Sequence, residues 1–119
     1  MRQILIEKYV EPSETKINKY GYIEQWHNDY GELHSFMGHP AVLWYKKGDN
    51  IKLENKIWYK KGLRHREKDL PSSIFYKKEK EMSKIWYKNG EEYRAGNKPT
   101  LVEYDENRNA ISQYKFLAF

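Results

Sequence analysis

The sequence predicts an all-β chain, an antiparallel meander of repeated hairpins forming a twisted or curled sheet. Three observations carry that expectation. The stretch Ile85-Trp86-Tyr87-Lys88-Asn89-Gly90, followed by Arg94 and Pro99, repeats Ile57-Trp58-Tyr59-Lys60-Lys61-Gly62, followed by Arg66 and Pro71. A worn copy begins at Trp26, with Gly31 and Pro40 after it, and Tyr114 takes the Trp slot a last time. Every proline in the chain keeps the same step: Pro12, Pro40, Pro71 and Pro99. No stretch has the 3.6-residue apolar period of a helix, whereas short alternating runs bounded by turn residues are frequent. A period of roughly 30 residues marks stacked supersecondary units.

The elements follow in chain order. Arg2 to Val10 reads as a strand that caps the array, and Pro12 breaks it because proline cannot donate to a ladder. Ile17 to Trp26 reads as the next strand, with Gly21 marking a bulge. A turn follows at residues 27–31. Ala41 to Lys47 and Leu53 to Lys60 are expected to pair across Gly48-Asp49-Asn50, with a second turn at Lys61-Gly62 and a short return to Arg66. Ser73 to Lys77 and Met82 to Lys88 pair across a turn around Glu79-Lys80-Glu81. Asn89-Gly90 is a type I′ signal, since both central positions need positive φ. Thr100 to Tyr104 and Ala110 to Phe116 form the last hairpin. Turn centres place Trp58 near Val42, Trp86 near Ile74 and Tyr114 near Val102. Residues 1–119 therefore read as one hairpin-repeat domain, with a cap at 2–10 and units near 12–39, 40–70, 71–98 and 99–116.

Composition narrows the function classes. Aromatic content is 16%, dominated by Tyr, which a disordered chain would lack despite the 33% charged residues. There is no Cys, which removes disulfides, zinc-thiolate sites and thiol catalysis. No apolar run is long enough to span a membrane and no signal peptide is visible, so the expectation is a soluble, cytoplasmic protein without a membrane partner. The net charge of +5 resides in residues 46–69, where nine Lys or Arg face four acids. Lys, Asn, Ile and Tyr are all frequent, a usage that A/T-rich genomes such as those of many phages favour.

The repeated stretch resembles MORN-like β-hairpin repeats, in the divergent W-Y-x-N-G-x-x-H-R-x-x-x-x-P-A version. That version occurs in small bacterial, phage and large-DNA-virus proteins and in an antitoxin-like family. The resemblance covers about residues 12–116 and is best over Trp58 to Ser72, with His65, Arg66 and Pro71-Ser72 in place. Tyr93 replaces the His in the Trp86 copy, and the Trp26 copy has His34 but Ser35 where Arg belongs. It implies successive hairpins, each packed on its neighbours, and no particular activity.

Candidate sites divide by chemistry. His65-Arg66 and Tyr93-Arg94 recur with the unit, which favours Arg lying over the neighbouring aromatic and holding loop carbonyls. His27, His34, His39 and His65 lack metal-ligand spacing apart from His34 and His39, so no metal and no cofactor is expected. With no phosphate loop, nucleophile motif or paired carboxylates, no catalytic residue is assigned and the chain is read as a non-enzyme. The Trp and Tyr of each copy point to opposite faces if the strand runs straight through them, and one sheet cannot bury both faces alone. The predicted partner-binding surface is one sheet face with Trp44, Tyr45, Tyr59, Tyr76 and Tyr87, flanked by Lys46, Lys61 and Arg64. Trp58 and Trp86 are read as packing residues. The expected function is a small protein-binding module, phage-encoded, that docks on and inhibits or redirects a host protein, for example a defence protein. The runner-up is a nucleic-acid-binding accessory protein using the basic aromatic stretch, and a third reading is an antitoxin-like immunity protein. Homodimerisation through the aromatic face would meet the same burial demand.

Overall fold

Tight turns set the architecture. Lys61-Gly62, Lys78-Glu79 and Asn89-Gly90 each place two successive residues at positive φ, the type I′ geometry whose twist matches the strands it joins. The computed structural model describes residues 11–114, and the expected capping strand at 2–10 lies outside them. The described chain is all-β and contains no helix. Its twelve strands are β1 (Glu14–Asn18), β2 (Gly21–Gln25), β3 (Val42–Lys47), β4 (Ile51–Ile57), β5 (Tyr59–Lys60), β6 (Leu63–Arg64), β7 (Ser73–Lys77), β8 (Lys80–Ile85), β9 (Tyr87–Lys88), β10 (Glu91–Glu92), β11 (Leu101–Tyr104) and β12 (Ala110–Tyr114).

Four long hairpins line up in one open antiparallel sheet of order β1-β2-β3-β4-β7-β8-β11-β12. Between them sit two short hairpins, β5-β6 and β9-β10. A single bridging pair, His27 opposite Leu33, takes the same place after Trp26. Three of the long hairpins carry a bulge on their second strand, where Glu54, Met82 and Ile111 are the extra residues opposite Trp44/Tyr45, Phe75/Tyr76 and Glu103/Tyr104. A bulge raises the local right-handed twist of the strand that carries it.

The Trp of each unit is where the chain leaves the sheet. The backbone N–H groups of Trp26, Trp58 and Trp86 donate to the carbonyls of Ala41, Ser72 and Thr100, the residues after the repeat prolines, each at 2.8 Å. Ala41 and Ser72 donate onward to the carbonyls of Ile57 and Ile85 in the following strand, each at 2.9 Å. The buried residues gather at this junction: the three Trp, Ala41, Val42, Ile57, Ser72, Ile74, Thr100 and Val102. Each of the two regular Trp also has a lid. Arg66 lies 3.7 Å over the Trp58 ring and donates to the Pro71 carbonyl at 3.0 Å, and Arg94 lies 3.8 Å over Trp86 and donates to the Pro99 carbonyl at 3.1 Å. The structural reading of the recurring Arg therefore holds in both copies. In the Trp26 unit, which lacks that Arg, His39 packs edge-on against the indole at 4.5 Å, its Nδ1 2.7 Å from the Pro40 carbonyl.

Several sequence expectations are corrected. Residues Ile17 to Trp26 are not one strand: β1 and β2 form a complete long hairpin turned at Lys19-Tyr20, with the Asn18 Oδ1 accepting from the backbone of Tyr20 and Gly21. Gly21 marks a close approach and not a bulge, since a Cβ there would fall 2.0 Å from the Tyr45 carbonyl oxygen. The expected register slips by one or two residues. Val42 pairs with Ile57, Ile74 with Lys84 and Val102 with Gln113, because the turns are tighter than expected and the bulges shift the ladder. Trp58 and Trp86 stand outside the long ladders, so cross-strand pairing with a β-branched residue is not how they are held.

With relative exposures of 5% and 7%, Trp58 and Trp86 are expected to cost about 3–5 kcal/mol each on truncation to Ala. Equilibrium urea unfolding of Trp58→Ala and Trp86→Ala checks this. A loss below about 1 kcal/mol at either position would remove the Trp from the core.

Candidate functional site

The eight residues expected on one sheet face occupy two separate places. Trp44, Tyr45, Lys46 and Tyr76 are on the long hairpins. Trp44 pairs with Ile23 and Asn55, and Tyr45 with Tyr22 and Leu53, so adjacent Trp44 and Tyr45 point to opposite faces. Trp44 is 44% exposed. Tyr45 stacks on Tyr22 with ring centroids 4.4 Å apart. Burial, followed by its hydrogen bond to the Glu24 carboxylate, pushes the Tyr45 hydroxyl up to about 12. Lys56 lies 5.5 Å over the Tyr76 ring. Tyr45 and Tyr76 are thus engaged within the sheet.

Tyr59, Tyr87, Lys61 and Arg64 are instead on the short hairpins, because the chain steps out of the sheet at Trp58 and Trp86. The single face expected for all eight is corrected by that step. The short hairpins stack on one another along the array. Gly62 N–H donates to the Leu33 carbonyl at 2.8 Å, and Gly90 N–H to the Arg64 carbonyl at 2.9 Å. The equivalent His residues add a side-chain rung: His34 Nδ1 accepts from Lys61 N–H at 3.0 Å, and His65 Nδ1 from Asn89 N–H at 2.9 Å. Both rings must leave Nδ1 bare to accept, so each carries its proton on Nε2. His65 Nε2 then donates to Glu67 Oε1 at 2.6 Å.

This stacking brings Tyr59, Arg64 and Tyr87 together across two successive short hairpins. Arg64 Nε donates to the Tyr59 hydroxyl at 3.5 Å, and its guanidinium lies 5.3 Å from the Tyr87 ring centroid. The Tyr59 hydroxyl is the main cause of a raised Arg64 pKa, ahead of the opposing effect of burial. Exposed Lys60, Lys61 and Lys88 flank the cluster, and Leu63 is exposed beside them. The result is a stripe of amphipathic aromatics around one positioned guanidinium, bordered by cations. Lys46 and Lys47 lie at the far end of the long hairpin from it, so the basic stretch 46–69 is not one continuous groove.

Beside the stripe opens a cleft of about 450 Å³, lined by residues of the loop after Trp26 and by Trp58, Tyr59, Lys60, His65 and Arg66. The next unit has a smaller cleft of about 120 Å³ in the same place, bordered by Asp69, Trp86 and Arg94. There Asp69 accepts from Arg94 Nε at 2.9 Å and Nη2 at 3.4 Å, and from Lys98 Nζ at 2.9 Å. Arg94 and then Lys98 hold its carboxyl down to about 2. Sequence reasoning did not single out the clefts, because their walls come from loops of two consecutive units. Among the described residues no group of three or more His, Asp or Glu is placed to hold a metal ion. No helix there is long and apolar enough to cross a membrane.

No family model matches the chain, and no curated protein and no solved structure matches it.

Burial, and then the charge of Lys61, lower the His34 pKa from 6.5, with Glu32 acting in the opposite sense. Below that value the unfolded chain binds a proton that folded His34 resists, so the contribution of His34 is full above about pH 6.5 and is lost as pH falls through the folded value. Denaturation midpoints measured from about pH 7.5 down to about pH 5 are expected to fall. His34→Gln should flatten that part of the profile, while Asp69, held near 2, titrates well below the window. An unchanged slope in the variant would contradict this.

Proposed function

We propose that the protein is a non-enzymatic module that binds an acidic protein surface through the stripe on its short hairpins. The observation that carries this reading is the convergence of Tyr59, Arg64 and Tyr87 from two successive hairpins. Tyr and Arg are enriched where interfaces concentrate their energy. The cations around them favour a partner of opposite charge and speed its approach. In this reading the biological setting is a phage-encoded protein that docks on a host protein and blocks or redirects it. That setting is supported by the lysine- and asparagine-rich composition and the resemblance to phage-borne repeats. Nucleic-acid binding ranks second because Lys46-Lys47 lie by the turn of the long hairpin β3-β4, at the end away from Lys60-Lys61 on the short hairpin β5-β6.

The test is affinity capture from the native host with a panel of variants melted in parallel. Tyr59→Ala and Tyr87→Ala are expected to remove up to about 2 kcal/mol of binding each and to change stability by no more than about 1 kcal/mol. As a control on the long hairpin β3-β4, away from the stripe, Trp44→Ala should leave capture unchanged. A captured protein that is indifferent to Tyr59 and Tyr87 would overturn the stripe as the site. Salt separates the classes: contacts to several phosphates weaken by orders of magnitude between about 50 and 200 mM, and an aromatic-centred protein interface does not.

A further inference from the structure

We infer that the Nε/Nη2 edge of Arg66 is a docking point for a carboxylate presented by the acidic partner, an inference that deepens the binding reading above. Arg66 and Arg94 occupy equivalent places in two copies of one site. Arg66 and Arg94 each cover a Trp face and spend Nη1 on the carbonyl of a repeat proline. In the Arg94 copy the remaining Nε and Nη2 grip the Asp69 carboxylate as a fork, the geometry in which guanidinium binds carboxylate best.

The residue equivalent to Asp69 one unit earlier is Gly38. Both stand two residues before a repeat proline, and both lend a carbonyl to an indole N–H, Trp58 Nε1 to Gly38 at 2.9 Å and Trp86 Nε1 to Asp69 at 3.1 Å. Both have left-handed backbones, φ 80° and 53°, as do Met37 and Lys68 before them. Gly38 brings no side chain, and the cleft it borders together with Arg66 is about 450 Å³ against about 120 Å³. Among the described residues no carboxylate lies within ion-pair distance of the Arg66 guanidinium. Its neighbour Glu67 is bonded to His65 and lies 3.9 Å from Lys60. Burial lowers the Arg66 pKa, opposed by Tyr76 and by no carboxylate. Lys60 and Lys68 on the same cleft add positive charge. One copy of the site holds its own anion, and the other presents the same fork to an anion from outside.

The experiment exchanges the two copies. NMR of the arginine Nε–H groups follows titration with N-acetyl-aspartate N-methylamide, and separately with inorganic phosphate at matched ionic strength. In the native chain the Arg66 resonance is expected to shift saturably with the aspartate derivative while Arg94 stays still. Gly38→Asp should supply the missing carboxylate and weaken that response at least about tenfold. A Cβ at Gly38 meets nothing within 4 Å, and Asp69 itself adopts the same left-handed backbone. Asp69→Gly should confer the response on Arg94. An Arg66 resonance that does not move, or that moves equally in Gly38→Asp, overturns the inference. If Gly38→Asp fails to fold, an unresponsive Arg94 in Asp69→Gly overturns it instead. Saturation by phosphate at about a tenth of the carboxylate concentration would replace the carboxylate with a phosphate ligand. The titration needs no protein partner, so its failure leaves the Tyr59 and Tyr87 capture result standing, and the reverse also holds.

Discussion

The structure depends on the way each Trp ends a long hairpin. Its backbone N–H is taken by the residue after the next proline, so the ladder is closed at the point where the chain departs. The indole then fills the junction between long and short hairpins. For Trp58 and Trp86 its Nε1 donates to a loop carbonyl and a guanidinium covers its face. Satisfying that donor avoids the cost of about 1–3 kcal/mol for an orphaned N–H, a cost that the worn unit bears, since Trp26 Nε1 is buried without a hydrogen-bond partner. Proline suits its place because it has no N–H to leave unpaired, and the residue after it resumes the ladder. Ser72 does so with its side chain as well, its Oγ accepting from Tyr87 N–H at 2.8 Å.

A core of this kind is a line and not a layer. The buried residues follow the Trp junction from unit to unit, while the outer halves of the long hairpins project beyond it as a single sheet with half-exposed faces. Each unit is closed by its neighbour: the next unit supplies the N–H groups taken by His34 and His65, and the previous loop supplies the carbonyls taken by Trp58 and Trp86. Stability in such an array is close to a sum of units and nearest-neighbour interfaces. Damage at one Trp is therefore felt most by the two units that share it.

Much of this was legible in the sequence because the junction residues are chemically distinctive. Trp, Pro, the following small residue and the Arg recur at fixed offsets, and Asn89-Gly90 names its own turn. The rest was hidden for physical reasons. Lys78-Glu79 adopts a left-handed pair without Gly or Asn to announce it, and the bulges leave no mark on residue type. Each error shifted the register by a residue or two, and a shift of one residue exchanges the faces. The strand was also read straight through Trp58 and Trp86, which placed Tyr59 and Tyr87 on the sheet with Tyr45 and Tyr76. Only the interruption of the ladder at Trp moves them to the short hairpins beside Arg64. His39 was hidden differently, since it covers Trp26 from the far end of the loop, where no offset rule looks for it.

The repeat also separates what must stay from what is free to differ. The backbone bonds of the junction recur in all three Trp copies, and His39 substitutes for the Arg lid over Trp26, although Trp26 Nε1 has no counterpart of the carbonyl bonds made by Trp58 and Trp86. Positions facing outward along the short hairpins do not: Arg64 aligns with Glu92 at the end of the short hairpin, and Gly38 with Asp69 before the proline. A scaffold whose folding is secured by backbone bonds and one indole per unit can change those outward residues at little cost. The asymmetry between successive units is therefore where recognition chemistry can arise without endangering the fold. In this chain it leaves one unit neutralised by its own Asp69 and its neighbour cationic, with Tyr59, Arg64 and Tyr87 lying across the boundary between them.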